Sequence, residues 1–350
     1  MNRKSGHARA ALHQCAGEDV QRRSTRRALL LGAAAWPVIG WTNSLFAQSG
    51  KPVVVGILQA VSREELGPRL VAFREGLAAL GWREGSQVMF EERWANGHME
   101  RLQGLAEELA VKGVAVIVVG GSTATAAATK AAPNTPIVMA SGGDPVLAGL
   151  VTNLARPGGM ITGLTSLAGN ITDKYLELLI EFAPKLRRVG FLIDSAVLTA
   201  SAHMESARRS GTRLSVEVHF AEVARPEDAE RGISRLAQEG IRALVIMPST
   251  RFAADRRRLM KLALAHRLPV VAQTHEYVEE GALLSYGADP SALYRRAAYF
   301  VDRILKGTKP GDLPIEQPTQ YELVINLKTA KALGLKVPQT LALRADRVIE

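Results

Sequence analysis

The chain has 350 residues, 47% of them apolar, 22% charged and 5% aromatic. That composition excludes collagen-like, disordered and disulfide-scaffold classes, and the single cysteine, Cys15, excludes a disulfide within the chain. The formal charge of +10 oversells nucleic-acid binding: residues 1–47 hold seven of the 44 basic and two of the 34 acidic residues, which leaves 37 against 32, or +5.

Residues 1–27 are basic and polar, Ala28–Ile39 (ALLLGAAAWPVI) is mostly apolar, and a polar stretch ends at Leu45-Phe46-Ala47. This is the layout of an export signal, with an apolar core shorter than the about 20 residues that span a membrane. Thr25-Arg26-Arg27-Ala28-Leu29-Leu30 resembles the twin-arginine motif; the alternative is a Sec signal or an inner-membrane anchor that carries two arginines. Cleavage is expected after Ala47, although Leu45 suits the −3 position poorly. It would remove Cys15, and a mature chain without cysteine is harmless in an oxidising periplasm. No later segment reaches membrane-spanning length without charges, so the mature protein is expected to be soluble.

After the leader, apolar runs alternate with segments of helical period. Val53–Leu58 reads as a buried strand and Pro68–Leu80 as a helix stopped by Gly81. Strands follow at Gln87–Arg93, Val114–Val119 and Pro136–Ala140, with helices at Met99–Val111 and Ser122–Ala132 between them. The pattern restarts after Pro157-Gly158-Gly159, with helices at Thr172–Phe182, Ala200–Ser210, Glu227–Gln238 and Phe252–His266. Strands alternate with them at Val189–Ile193, Leu214–Phe220, Ala243–Met247 and Pro269–Ala272. Continuous β-branched runs alternating with helices predict parallel sheets covered on both faces. Right-handed crossovers put the strand C-termini on one edge, where ligands bind. The tail adds a strand at Ala282–Tyr286, a helix at Pro290–Lys306, a Pro-rich connector, a strand at Tyr321–Asn326 and a short helix ending near Gly334. If these join different sheets, the chain crosses between two lobes three times, which makes a hinge.

The motifs for dinucleotides, P-loops, zinc proteases and nucleophile elbows are all missing. His98, His203, His219, His266 and His275 are scattered, with no metal-ligand spacing. No metal or cofactor is expected. The strand-end loops are the candidates. Gly120-Gly121-Ser122-Thr123 leaves a buried strand and opens a helix, so free N–H groups there suit a carboxylate, or Ser122 or Thr123 simply caps the turn. In Ala140-Ser141-Gly142-Gly143-Asp144-Pro145, Ser141 and Gly142 favour close backbone approach, while Asp144 is a helix cap or a partner for a ligand ammonium. Asp194-Ser195, Ser249-Thr250 and Gln273-Thr274 are polar strand ends that together suit a small-molecule cleft. Tyr286 is placed to stack on a ligand or merely to pack. Arg256-Arg257-Arg258 reads as a solvated face.

The segments AFREGLAALGWREG, IVVGGSTATAAATKAAPNTPIVMASGGDPV with LVTNLARPGGMITG, and ILKGTKPGDLPIEQPTQYELVINLKTAKALGL resemble the ABC-transporter substrate-binding protein family that includes tryptophan/tyrosine-type binding proteins. The resemblance covers nearly all of residues 53–350. It implies an α/β fold of two doubly wound parallel-sheet lobes joined by a three-strand hinge, similar to type I periplasmic binding proteins. The first lobe would be 53–166 plus about 282–308, the second 167–281 plus about 315–350, with 1–47 as the export signal. It also implies that Ser122 and Thr123 hold an α-carboxylate, that Ser141, Gly142 and Asp144 form the adjacent loop, and that Asp194, Ser195, Thr250 and Gln273 form the second-lobe face. Gln59 lines the cleft in that layout, although the loop QAVSRE departs from the small-residue loop common in the family.

The expected function is a periplasmic, monomeric, non-enzymatic receptor that carries a small polar solute, such as an amino acid, to an inner-membrane ABC permease and its ATPase, with no nucleic-acid partner. Two alternatives stand beside it. A two-lobed periplasmic enzyme would need a nucleophile–base pair in the cleft, for which His275 is the strand-end histidine. A ligand-sensing receptor component would need a membrane segment after the sensor.

Overall fold

A computed structural model describes residues 51–167 and 171–350. The expected leader, with Arg26, Arg27, Cys15 and the cleavage after Ala47, lies outside the described residues. The first half runs β1 (Val53–Gln59), α1 (Arg63–Ala79), β2 (Val88–Trp94), α2 (Leu102–Val111), β3 (Val116–Gly120), α3 (Ser122–Ala131), β4 (Ile137–Ser141) and β5 (Ile161–Gly163). These strands form one parallel sheet in the order β2-β1-β3-β4-β5. β1 and β3 are apolar runs buried on both faces, as a sheet covered by helices requires.

The second half runs α4 (Ile171–Phe182), β6 (Arg188–Asp194), α5 (Ala200–Leu214), β7 (Glu217–Val223), α6 (Asp228–Gln238), β8 (Leu244–Ile246), α7 (Thr250–Ala254), α8 (Arg256–Ala265), β9 (Val270–Ala272), α9 (His275–Glu279) and β10 (Leu284–Gly287). After α10 (Pro290–Leu305) come β11 (Glu322–Asn326), α11 (Leu327–Ala332), α12 (Gln339–Arg344) and β12 (Arg347–Ile349). The second sheet has the order β12-β11-β10-β9-β8-β6-β7, parallel except where β11 runs against β10. Each sheet is therefore doubly wound, and its strand order reverses once: between β1 and β3 in the first lobe, between β6 and β8 in the second. Ligands bind in the crevice at the strand C-termini of such a reversal.

The assignment of 282–308 to the first lobe is corrected. β10 pairs with β9 and β11 in the second sheet, and only α10 returns to the first lobe. There it buries Tyr294, Ala297, Ala298 and Val301 against α1. Gly76 permits the approach, because a Cβ there would lie 2.7 Å from the Arg295 carbonyl oxygen. The chain crosses between the lobes after β5, after β10 and before β11. The first and third crossings pair: Thr165 donates its N–H to the Glu316 carbonyl at 2.9 Å, and Glu316 donates to the Gly163 carbonyl at 2.9 Å.

Element boundaries also differ from expectation: α5 runs on to Leu214, where a strand was expected to begin, and β7 starts at Glu217. α1 begins at Arg63 rather than Pro68, because Ser62 and Glu65 form a reciprocal capping box. The helix expected at 252–266 is broken into α7 and α8 at Asp255. β5, α9, α12 and β12 are too short to carry a periodic signal of their own.

Gly163 sits at φ +119°, and a Cβ there would overlap the Met139 carbonyl group. Neither backbone can move without breaking the β4–β5 pairing. Gly163→Ala is expected to cost at least about 3 kcal/mol, read as a melting temperature roughly 6–12 °C lower.

Candidate functional site

The C-terminal edges of the two sheets line a cavity of about 130 Å³, room for on the order of ten water-sized spheres. From the first lobe, Gln59 ends β1 and is 2% exposed. Its Oε1 accepts the Tyr294 hydroxyl at 3.0 Å, while its Nε2 is buried without a partner among the described residues. Gly120 makes room for this pair, since a Cβ there would overlap both Tyr294 Oη and Gln59 Oε1.

α3 opens onto the same cavity at Ser122 and Thr123. Its N-cap is Gly121, which has no side chain to cap with, so the N–H groups of the first turn stay free for a ligand. Ser122 is occupied otherwise: its Oγ accepts the Gly143 N–H at 3.1 Å and ties the β3–α3 loop to the loop after β4. Ser141 and Gly142 line the cavity from that loop, and Ser166 of the first crossing donates both its N–H (2.7 Å) and its hydroxyl (2.8 Å) to the Gly142 carbonyl.

From the second lobe, Thr250 and Gln273 line the cavity. Gln273 Nε2 donates to the Ser166 carbonyl at 3.1 Å, so the cleft wall and the hinge are linked. Four predicted residues lie outside the lining. Asp144 Oδ1 accepts the N–H groups of Val146 (2.8 Å) and Leu147 (3.2 Å), so it caps its own turn. Asp194, 5% exposed, accepts the Ser249 hydroxyl at 2.6 Å and the Ala196 N–H at 3.0 Å. It thereby orients Ser249, which caps α7. Ser195 turns its N–H and hydroxyl to the Val223 carbonyl. Tyr286 stacks on Tyr321 at 5.2 Å between ring centroids, with Lys174 Nζ 5.5 Å over its face. His275 also lies outside the lining, with Nδ1 3.6 Å from Glu322.

The cavity also takes Arg69, Thr199, His203, Tyr277 and Tyr294, none of which the strand-end reading reached. Arg69, His203, Tyr277 and Tyr294 stand on helices and Thr199 immediately precedes α5, and which helical face meets the cavity depends on the packing of the lobes. Arg69 carried the one sequence signal, a charge inside the apolar stripe Leu66, Leu70, Phe73. Arg69 Nη2 meets Glu276 Oε1 at 2.5 Å across the lobes, and Arg256 Nη1 meets Glu65 Oε1 at 3.4 Å. Burial pushes the Glu276 carboxyl up, but the Arg69 guanidinium and the Thr274 hydroxyl outweigh it and hold it down at about 2. Burial lowers the pKa of His203 below the ordinary imidazole value, so at neutral pH this wall presents a neutral ring. Thr199 Oγ1 is buried and unpartnered. No Asp or Glu lines the cavity among the described residues, and the one charged lining residue, Arg69, is paired with Glu276. Among the described residues no three His, Cys, Asp or Glu side chains cluster as a metal site, and no helix is long and apolar enough to cross a membrane.

The model of the family described as ABC transporter substrate binding protein matches residues 54–349. The chain belongs to this family. It is 26% identical over 288 residues to a tyrosine-binding protein of Clostridioides difficile, covering 82% of this chain and 83% of that one. Two solved structures share the two-lobed fold. One, an ABC domain from Streptococcus pneumonia in complex with L-Trp, is 23% identical with a TM-score of 0.80, covering 85% of this chain and all of that one. The other is the ligand-free, open structure of a Clostridium difficile substrate-binding protein with adhesive properties. It is 25% identical with a TM-score of 0.64, covering 85% of this chain and 99% of that one. Members of the family bind small molecules for a membrane transporter, and the cavity between the two strand-end edges is the feature of this chain that fits that role.

Proposed function

We propose that this chain is the periplasmic solute-binding component of an ABC importer. It captures a small carboxylate-bearing solute, an amino acid being the leading candidate, and delivers it unaltered to the inner-membrane permease and its ATPase. The observation that carries this reading is the pair of unpartnered buried groups on facing walls, Gln59 Nε2 in the first lobe and Thr199 Oγ1 in the second. Leaving such groups unpaired costs about 1–3 kcal/mol each, and a polar solute held between the lobes relieves both. The uncapped first turn of α3 favours a carboxylate. With no acidic group in the lining, an ammonium would rest on hydroxyl and carbonyl oxygens. The C. difficile tyrosine-binding relative supports an amino acid as that carboxylate.

Release without chemistry is supported by how the hydroxyls are engaged. Ser122 bonds to Gly143 and Ser249 to Asp194, and neither is paired with His203. A closed arrangement of the lobes is supported by the ion pairs across them and by the lower TM-score against the open structure. The basic stretch, the Arg26-Arg27 pair and the apolar run of residues 1–47 support export to the periplasm, and we read the receptor as a monomer.

The test is calorimetry and thermal shift with tyrosine, other amino acids, their amides and their deaminated counterparts. The expected result is that one or more free acids bind at micromolar Kd, about 8 kcal/mol, and raise the melting temperature, and that the matching amides bind at least tenfold more weakly. Equal binding of acid and amide, or no shift with any solute bearing a carboxylate, would overturn the reading.

A further inference from the structure

A second cavity lies at the opposite end of the second sheet, away from the cleft. Its volume is about 470 Å³, within the ~300–1,000 Å³ of pockets that hold organic ligands. Arg188, Ala243, Pro269 and Leu283, at the N-terminal ends of β6, β8, β9 and β10, edge it. Its interior is apolar, built from Leu179, Phe182, Leu186, Leu333 and Leu335, while Lys185, Arg187, Arg188, Arg242 and Arg267 stand around it. No carboxylate lines it among the described residues.

Most arginines among the described residues sit against a carboxylate, but this rim departs from that habit. Arg188 pairs with Glu217 at 3.0 Å. Arg187 donates to the carbonyls of Pro184 and Leu186, and Arg242 to that of Ile241. Carbonyl bonds leave those two charges uncompensated. Lys185 and Arg267 have no carboxylate within 4 Å among the described residues.

The backbone at Arg267 adds an independent observation. Among the described residues six helices, α1, α2, α6, α9, α10 and α11, are followed by a glycine at positive φ: Gly81, Gly113, Gly240, Gly281, Gly307 and Gly334. That left-handed turn is one glycine adopts without steric cost. After α8 the same turn is made by Arg267 at φ +55°. The chain keeps a cation where a glycine would fold better, and it keeps it on the lip of an apolar cavity.

We infer that this cavity binds an amphiphile with an anionic head group and an alkyl chain. The chain fills the leucine-lined interior, and the head meets Arg242, Arg267 and their neighbours. A free alkyl carboxylate and an anionic membrane lipid share this chemistry.

The test is calorimetric titration of the full chain with dodecanoate below its micelle-forming concentration, alongside dodecyltrimethylammonium. Dodecanoate is expected to bind saturably at one site, at least tenfold more tightly than the cation. Arg242→Glu/Arg267→Glu is expected to abolish binding. Arg267→Gly is expected to raise the melting temperature and yet weaken dodecanoate about tenfold, the loss of one charge-assisted contact. A merely structural arginine would not move the two readouts in opposite directions. Flotation with vesicles of phosphatidylglycerol or phosphatidylcholine separates the sources. Arginine-dependent flotation with phosphatidylglycerol alone assigns the membrane lipid, and dodecanoate binding without flotation assigns the free amphiphile. Equal affinity for the two head groups, an unchanged affinity in Arg267→Gly, or no saturable heat would overturn the inference.

Discussion

Glu276→Gln is expected to weaken binding of the cleft solute by about 30-fold while both lobes stay folded. The carboxylate belongs to the second lobe and its partner Arg69 to the first, and the two side chains are only 20% and 21% exposed. Exposed ion pairs contribute roughly 0.2–1 kcal/mol, whereas breaking a buried one costs about 3–5 kcal/mol, because the surviving charge stays desolvated. A pair four-fifths buried falls between, at about 2 kcal/mol. Opening the cleft returns Arg69 to water, so the substitution acts on the closed state, and apparent affinity falls with the closed fraction. The pH dependence has a definite sign. The Glu276 carboxyl is held below its unfolded value of 4.5, at about 2. The pair's contribution is therefore fully present above pH 4.5 and is lost as pH falls towards 2. Melting temperatures of the parent and Glu276→Gln, measured with bound solute, should differ most above pH 4.5 and converge below it. A constant difference down to the acid limit would show that the carboxylate's charge is not what holds the lobes.

Gly121→Ala is expected to block closure. A Cβ at this position would lie 2.5 Å from Thr250 Oγ1, on the other side of the cleft, in a backbone conformation (φ +87°, ψ 152°) that is essentially glycine's own. Two costs therefore act together, backbone strain in the first lobe and overlap between the lobes, the latter roughly 1–3 kcal/mol. Adding Thr250→Ala removes the hydroxyl and leaves only the methyl position, 3.8 Å away. The single variant should bind solute 10–100-fold more weakly and show no contraction in small-angle scattering when solute is added. The double variant should regain the contraction and most of the affinity, and keep the lowered melting temperature of the strained turn. Contraction equal to the parent's in the single variant would mean that the lobes do not meet at these residues.

The alternation of strands and helices was legible in the sequence because continuous β-branched runs such as Val53–Leu58 and Val114–Val119 are stable only when both faces are covered. The location of the cleft was legible for a related reason. Right-handed crossovers bring every strand C-terminus of a parallel sheet to one edge, so Gln59, Ser122, Thr123, Ser141, Gly142, Thr250 and Gln273 face one cavity although they are spread along the chain.

What those residues do at that edge was decided by tertiary structure. A polar residue at a strand end either meets the cavity or is consumed by its own turn, as Asp144 and Ser195 are, and local spacing is the same in both cases. Asp194 was spent on Ser249, 55 positions away, and β10 joined the second sheet because its pairing partners β9 and β11 were already there. Arg69 and Glu276 lie 207 positions apart. No periodicity links residues at such distances. They meet because three crossings fold two independently wound sheets edge to edge, and the burial of opposite charges at that seam is a property of the assembled lobes.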